Sequence, residues 1–178
     1  MRVRAEEERD RAAVRAINVA AFGTVLEAEL VDTLRATVKP TISLVAEIEG
    51  AVVGHIMFSP VSLAERPQLN IVGLAPMAVA PDCQRQGIGS ALVRTGITKC
   101  EEHGYDAIVV LGHPEYYPRF GFMPAIRYAI RCEYDAPAEA FMILELKPDV
   151  LQGMSGLVRY DKAFGTVGAT SAQAHHGD

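Results

Sequence analysis

Apolar residues recur every three to four places through the first part of the chain. Val14, Ile17 and Ala21 share one helical face, and the spacing predicts a helix over Asp10 to Phe22 with Asp10 as its N-cap. Leu26, Leu30 and Leu34 repeat the pattern over Leu26 to Val38. The period then changes to two. Ile42, Leu44, Ala46 and Ile48 alternate over Thr41 to Ile48, Glu49-Gly50 reads as a tight turn, and Ala51 to Ser59 returns as the second arm of a hairpin. Met1 to Arg4 reads as a short opening strand, and Pro60 to Asn70 as a polar loop. Ile71 to Ala80 is an apolar strand interrupted at Pro76. Proline cannot donate to a ladder, so the strand should bulge or part from a neighbour there.

The second half continues as turn, helix and strands. Pro81 to Gln86 is a turn. Gly87 to His103 carries an inward stripe of Ile88, Leu92, Val93, Gly96, Ile97 and Cys100. Gly96 costs helix stability, and its use is close packing on a sheet. Gly104 stands where a C-cap is expected. Asp106 to Leu111 is a β-branched run of the kind buried on both faces. A short helical turn is expected over Glu115 to Phe120, with further strands at Ala125 to Cys132 and Phe141 to Leu146. Residues 1–165 read as a single domain, and 166–178, rich in Gly, Ala and Ser, as a flexible tail.

Composition narrows the function classes. The chain has 178 residues, 49% of them hydrophobic, and a net charge of -5. One core-forming domain fits that length. With no lysine/arginine block, nucleic acid is not an expected partner. No apolar run reaches the roughly 18 residues of a membrane span, so no membrane partner is expected. The three cysteines are scattered, with no CxxC or Cys/His cluster, which points away from zinc and from a disulfide framework. Free thiols and the lack of a signal sequence suggest the cytoplasm.

The chemistry concentrates between Leu74 and Phe122. The turn Gln84-Arg85-Gln86-Gly87-Ile88-Gly89 opens a helix. A helix's first turn offers N–H groups and the positive end of its dipole, so it holds a phosphorylated cofactor without lysines. Gly89 is followed by Ser90 and Ala91, so the Walker A lysine is absent. Position 92 is Leu, so the third glycine of a dinucleotide fingerprint is missing too. What fits is Q-x-x-G-x-G between an apolar strand and an amphipathic helix. With Leu74-Ala75-Pro76-Met77-Ala78-Val79-Ala80-Pro81 ahead of it, this turn resembles the central motif of the GNAT superfamily of acyl-CoA N-acyltransferases. The run Leu111-Gly112-His113-Pro114-Glu115-Tyr116-Tyr117-Pro118-Arg119-Phe120-Gly121-Phe122 is similar to that of its YhbS-like bacterial subgroup.

The resemblance implies an α/β (α+β) fold, with a mixed, mostly antiparallel central sheet flanked by helices and splayed between the fourth and fifth strands. It implies acetyl-CoA as cosubstrate, with no metal. Backbone amides across Arg85, Gln86, Gly87, Ile88, Gly89 and Ser90 would take the pyrophosphate, Gln84 belongs to the same cofactor-binding turn, and Met77, Ala78 and Val79 would pair with the pantetheine. Tyr117, four residues before Gly121, matches the register of the family's general-acid tyrosine. A phenol, with pKa about 10, is protonated at neutral pH and suits donation to sulfur. The family often places a glutamate on the fourth strand as base. Ile71 to Ala80 has none, which leaves His113, Glu115, His55 or, as the favoured route, a water relay. The family's Asn-x-x-Ala segment before the tyrosine is also missing. The implied partner is an amine acceptor, small molecule or protein, and the implied assembly a monomer or homodimer. A non-catalytic acyl-CoA sensor or scaffold on the same fold is the alternative.

Overall fold

The computed structural model describes residues 1–167 and 173–174. Strand β1 (Arg2–Ala5) leads into helices α1 (Arg11–Phe22) and α2 (Leu26–Thr37). The hairpin β2 (Ile42–Ile48) and β3 (Ala51–Leu63) follows, then β4 (Ile71–Val79), α3 (Ile88–Glu102) and β5 (Ala107–Gly112). The C-terminal part supplies β6 (Met123–Pro124), β7 (Ile130–Cys132), β8 (Phe141–Glu145), β9 (Gly156–Arg159) and β10 (Gln173–Ala174). The main sheet runs β1-β2-β3-β4-β5-β8-β6. Its ladders are antiparallel except between β4 and β5 and where β10 joins β5 in parallel. The mixed, mostly antiparallel, helix-flanked sheet is therefore the expected one.

The sheet has an apolar layer on each face. Val14, Leu30 and Leu34 of the first two helices pack with Val45, Met57, Val109 and Ile143. On the other face Ile88, Leu92 and Val93 of α3 pack with Phe58, Leu74, Ile108 and Val110. Successive residues of β5 thus go to opposite layers, and the whole strand is buried, which is why it reads as an unbroken apolar run. Gly96 lets α3 approach: a Cβ there would stand 2.4 Å from the Phe58 ring.

Pro76 has the consequence expected of it. Ile56 pairs with Met77 but Phe58 with Leu74, so Ala75 and Pro76 together face Met57 and β4 bulges. On its other edge β4 pairs with β5 only through Ile71–Gly73 against Ala107–Val109. Beyond Gly73 the two parallel strands separate into a wedge between the fourth and fifth strands.

Four local expectations are corrected. Asp10 stands at the N-cap position of α1, but its side chain makes no capping bond to that helix. Its carboxylate takes the Arg4 guanidinium at 2.6 and 2.9 Å and the Glu7 N–H at 2.8 Å, closing a 3₁₀ turn over Glu8–Asp10. Strand β3 does not stop at Ser59; it continues through Pro60 to Leu63. β2 begins at Ile42, opposite Phe58, so Pro60 has a partner strand on one side only, where a missing N–H is tolerated. The loop expected from Pro60 is correspondingly shorter. Residues 125–132 are not one strand. Ala125–Tyr128 is a 3₁₀ turn that turns Ala125 inward and leaves Ile126 half exposed, and Ala129 (φ +54°) leads into β7. The expected flexible tail lies largely outside the described residues; of it, Gln173–Ala174 form β10.

Candidate active site

The turn after β4 is built from backbone conformation. Pro81–Cys83 forms a 3₁₀ turn, Arg85 adopts φ +58°, and Gly87 is the N-cap of α3 at φ +79°. A Cβ at Gly87 would meet nothing within 4 Å, so glycine is needed there for its left-handed conformation and not for space. Gln84 turns its side chain back, and its amide donates to the Val79 carbonyl at 3.1 Å, bracing the turn against the end of β4. Ile88 and Gly89 lie buried in the first turn of α3, where backbone N–H groups lack acceptors within the helix. Arg85 and Gln86 are exposed, and Ser90 is half-buried. The sequence-predicted turn residues are thus contiguous around the N-terminus of one helix.

One arm of the wedge is Met77–Ala78–Val79. All three are buried and pair with Ile56, His55 and Gly54 of β3, so their outer edge faces the wedge. The other arm is the end of β5. Past Gly112 the chain turns: the His113 carbonyl accepts from the Tyr116 N–H at 3.0 Å, and Tyr117 begins a 3₁₀ helix over Tyr117–Phe120. Tyr117 is fully buried. Its ring meets Tyr116 and Phe122 edge-on, at centroid distances of 5.0 and 5.6 Å. Its hydroxyl has no hydrogen-bond partner among the described residues. Burial, with the neighbouring Tyr116 adding to it, pushes its pKa well above the usual phenol value, so the group keeps its proton.

Sequence reasoning missed the seat of that ring. A Cβ on Gly112 would lie 2.5 Å from Tyr117 Cε2, so a residue without a side chain is required at the end of β5. The only signal was a glycine closing an apolar strand.

The three alternative bases are dispersed. His113 and Glu115 lie on the exposed side of the turn after β5. His55 is fully buried on β3, paired with Ala78 of the wedge. Asn18 Nδ2 stands 3.3 Å from its Nδ1, and Ser43 Oγ 2.9 Å from its Nε2. Asn18 donates, so the ring proton belongs on Nε2 and points to Ser43, whose hydroxyl donates onward to Glu6. Glu6 in turn takes Arg35 at 2.5 Å. Burial, reinforced by Arg35, lowers the His55 pKa to about 3. His55 is a neutral ring with both nitrogens engaged, which leaves neither free to take a proton from an acceptor. This chain was also invisible in sequence, since its members lie on α1, α2, β2, β3 and the segment after β1.

The parallel strand pair that opens beyond its third rung, beside a glycine-capped helix N-terminus, is the splayed sheet that the resemblance to acyl-CoA N-acyltransferases implied. The chain belongs to the Acetyltransferase (GNAT) family, whose pattern matches residues 11–122. It is 38% identical over 165 residues to the uncharacterized N-acetyltransferase YhbS of Escherichia coli strain K12, covering 92% of this chain and 98% of that protein. The crystal structure of E. coli YhbS in complex with CoA superposes with a TM-score of 0.86 at 36% identity, covering 92% of this chain and 91% of that one. A GNAT family acetyltransferase from Brucella melitensis in complex with acetyl-CoA gives a TM-score of 0.75 at 36% identity, with coverage of 92% and 97%. The protein is an acyl-CoA-dependent N-acyltransferase.

Proposed function

We propose that this enzyme transfers an acetyl group from acetyl-CoA to a primary amine, on a small molecule or a protein, by direct attack within a ternary complex. The observation that carries the reading is the wedge itself: β4 leaves β5 after Gly73, and a buried, protonated Tyr117 hydroxyl, without a partner among the described residues, stands beyond the end of β5. A polar group buried without a partner is costly, and a ligand atom that accepts from it removes the cost. The bound complexes of the E. coli and Brucella relatives support acetyl-CoA as the cosubstrate.

When bound, acetyl-CoA supplies an activated thioester. Each other requirement falls to this chain. The amides of Arg85 to Ser90, with the α3 dipole, would hold the pyrophosphate, with Gln84 bracing the turn. The outer edge of Met77–Val79 would bond the pantetheine as a neighbouring strand bonds, and an N–H of that edge would stabilise charge developing on the carbonyl oxygen. Tyr117 would give its proton to the departing sulfur. The fourth strand carries no carboxylate and His55 is closed off, so the attacking amine would lose its proton to water.

The test is a library of amines and peptides screened with acetyl-CoA by release of free CoA thiol. Acetylation of an amine, with turnover rising from pH 6 toward pH 9 as the amine loses its proton, is the expected result. Tight acetyl-CoA binding without turnover on any amine would overturn it in favour of a sensor or scaffold.

A further inference from the structure

The proposed cofactor arm and the chain's own C-terminal segment meet in the same gap. Beyond the last rung joining β4 to β5, at Gly73 and Val109, the edge of β5 is left without β4 as partner. β10 takes that edge: Gln173 pairs with Leu111 and Ala174 with Gly112, in parallel. β10 also packs alongside β4. Neighbouring strands stand about 4.8 Å apart, so a segment bonded to β5 and flanked by β4 fills a gap one extended chain wide. Gly112, at the end of this ladder, is also the seat of the Tyr117 ring.

The chain is anchored just upstream. Phe164 is fully buried with its ring 5.1 Å from that of Tyr160, and Val167 is buried too. Only residues 168–172 separate Val167 from Gln173, which keeps the segment at high local concentration beside the wedge. From Gly168 to Ala174 the sequence is Gly-Ala-Thr-Ser-Ala-Gln-Ala, free of charge and of large side chains, as a narrow cleft requires.

We propose that the open edge of β5 is a docking edge for an extended backbone, that its occupant in the free enzyme is the chain's own segment Gln173–Ala174, and that this segment and the acyl-pantetheine arm exclude one another. The inference rests on the wedge being the cofactor site, as proposed above. Two backbone pairs are a weak hold, so the segment acts as a competitor that the cosubstrate displaces. A competitor docked in two-thirds to nine-tenths of molecules raises an apparent dissociation constant by about three- to tenfold.

The experiment compares the full chain, the chain ending at Val167, and full-length Gln173→Pro and Ala174→Pro variants, which weaken a ladder by removing a donor. Calorimetry is run with acetyl-CoA and with adenosine 3′,5′-bisphosphate, which lacks the pantetheine arm. Hydrogen exchange is read at the amide of Leu111, with that of Gly112, which donates to the Ala140 carbonyl at 2.9 Å on the β8 side, as the internal reference. The expected result has three parts: acetyl-CoA binds the shortened chain about three- to tenfold more tightly, at least one proline variant moves the same way, and the bisphosphate does not discriminate. The Leu111 amide should exchange faster without the segment. Equal or weaker acetyl-CoA binding by the shortened chain overturns the proposal. If no form binds acetyl-CoA, the cofactor reading of the wedge fails instead, and unchanged exchange at Leu111 then overturns the docking as well.

Discussion

The two arms of the wedge are made differently. The β4 arm is continuous: a bulged strand, a tight turn braced by Gln84, and a helix N-terminus follow one another within Ile71 to Ser90. The β5 arm is composite. Its strand ends at Gly112, its phenol comes from the following 3₁₀ helix, and its outer neighbour β8 arrives after two further short strands. A binding surface of backbone amides can be built from one local stretch. A positioned proton donor needs packing from several directions, here Gly112, Tyr116 and Phe122 around one ring. The first arm should therefore govern affinity for the cosubstrate and the second the rate of the chemical step.

The largest effect that would break this division is expected at Tyr117. Tyr117→Phe removes the hydroxyl and keeps the ring, so kcat should fall by roughly 10²–10⁴-fold with acetyl-CoA affinity preserved. Steady-state kinetics beside calorimetry will read both. A silent Tyr117→Phe together with a crippled Tyr116→Phe would move the acid one residue back. On the other arm, Gly89→Asp places a carboxylate in the first turn of α3, facing the same anion that the turn is proposed to hold. Acetyl-CoA affinity should drop about 100-fold, in line with the loss and reversal of one charge-assisted contact. A melting curve establishes that the variant is folded, and unchanged affinity in a folded variant would remove the turn from the site.

The same contrast explains what could be read from sequence. The β4 arm was legible because its determinants are local: Pro76 forces a bulge, and the Gln84 to Gly89 turn opens directly into α3. The register of Tyr117 followed from resemblance and not from periodicity. After Phe122 the strand expected at Phe141 to Leu146 is present as β8, but β6, β7 and β9 were read poorly because they are two to four residues long, and two of them are set by distant partners: β7 by β9, and β9 by the end of β3. The inward turn of Ala125 follows a period of three over too few residues to stand out. Asp10 was placed correctly at the start of α1, but the partner of its carboxylate was not legible, since that is decided by where β1 brings the Arg4 guanidinium.

Gly112→Ala sharpens the comparison at a smaller scale. The added methyl meets Tyr117 Cε2 at 2.5 Å in a fully buried setting, so ring or strand must move. Overpacking of this kind costs about 1–3 kcal/mol. We expect a kcat reduction of about 10-fold or more with near-normal acetyl-CoA affinity. A wild-type kcat in a variant that melts earlier would mean that the ring tolerates displacement and its position is not limiting.

The smallest effect concerns the layer behind the β4 arm, where His55 backs Ala78. Its folded-state pKa of about 3 lies below the ordinary imidazole value of 6.5, so between these limits the unfolded chain binds a proton that the native chain does not. Native stability is therefore full above about pH 6.5 and declines as pH falls through this window, by at most about 1.4 kcal/mol per pH unit from this group. Denaturant unfolding at pH 7.0, 6.0 and 5.0 measures the slope. His55→Gln retains an acceptor for Asn18 and a donor for Ser43 but cannot titrate, so its slope should be shallower whatever its absolute stability. Equal slopes would show that His55 does not set the acid sensitivity in this window. The same variant separates support from catalysis. A ring that stays neutral and enclosed throughout the working range contributes no limb to the pH profile of kcat/KM, so that profile should keep its shape when His55 is replaced.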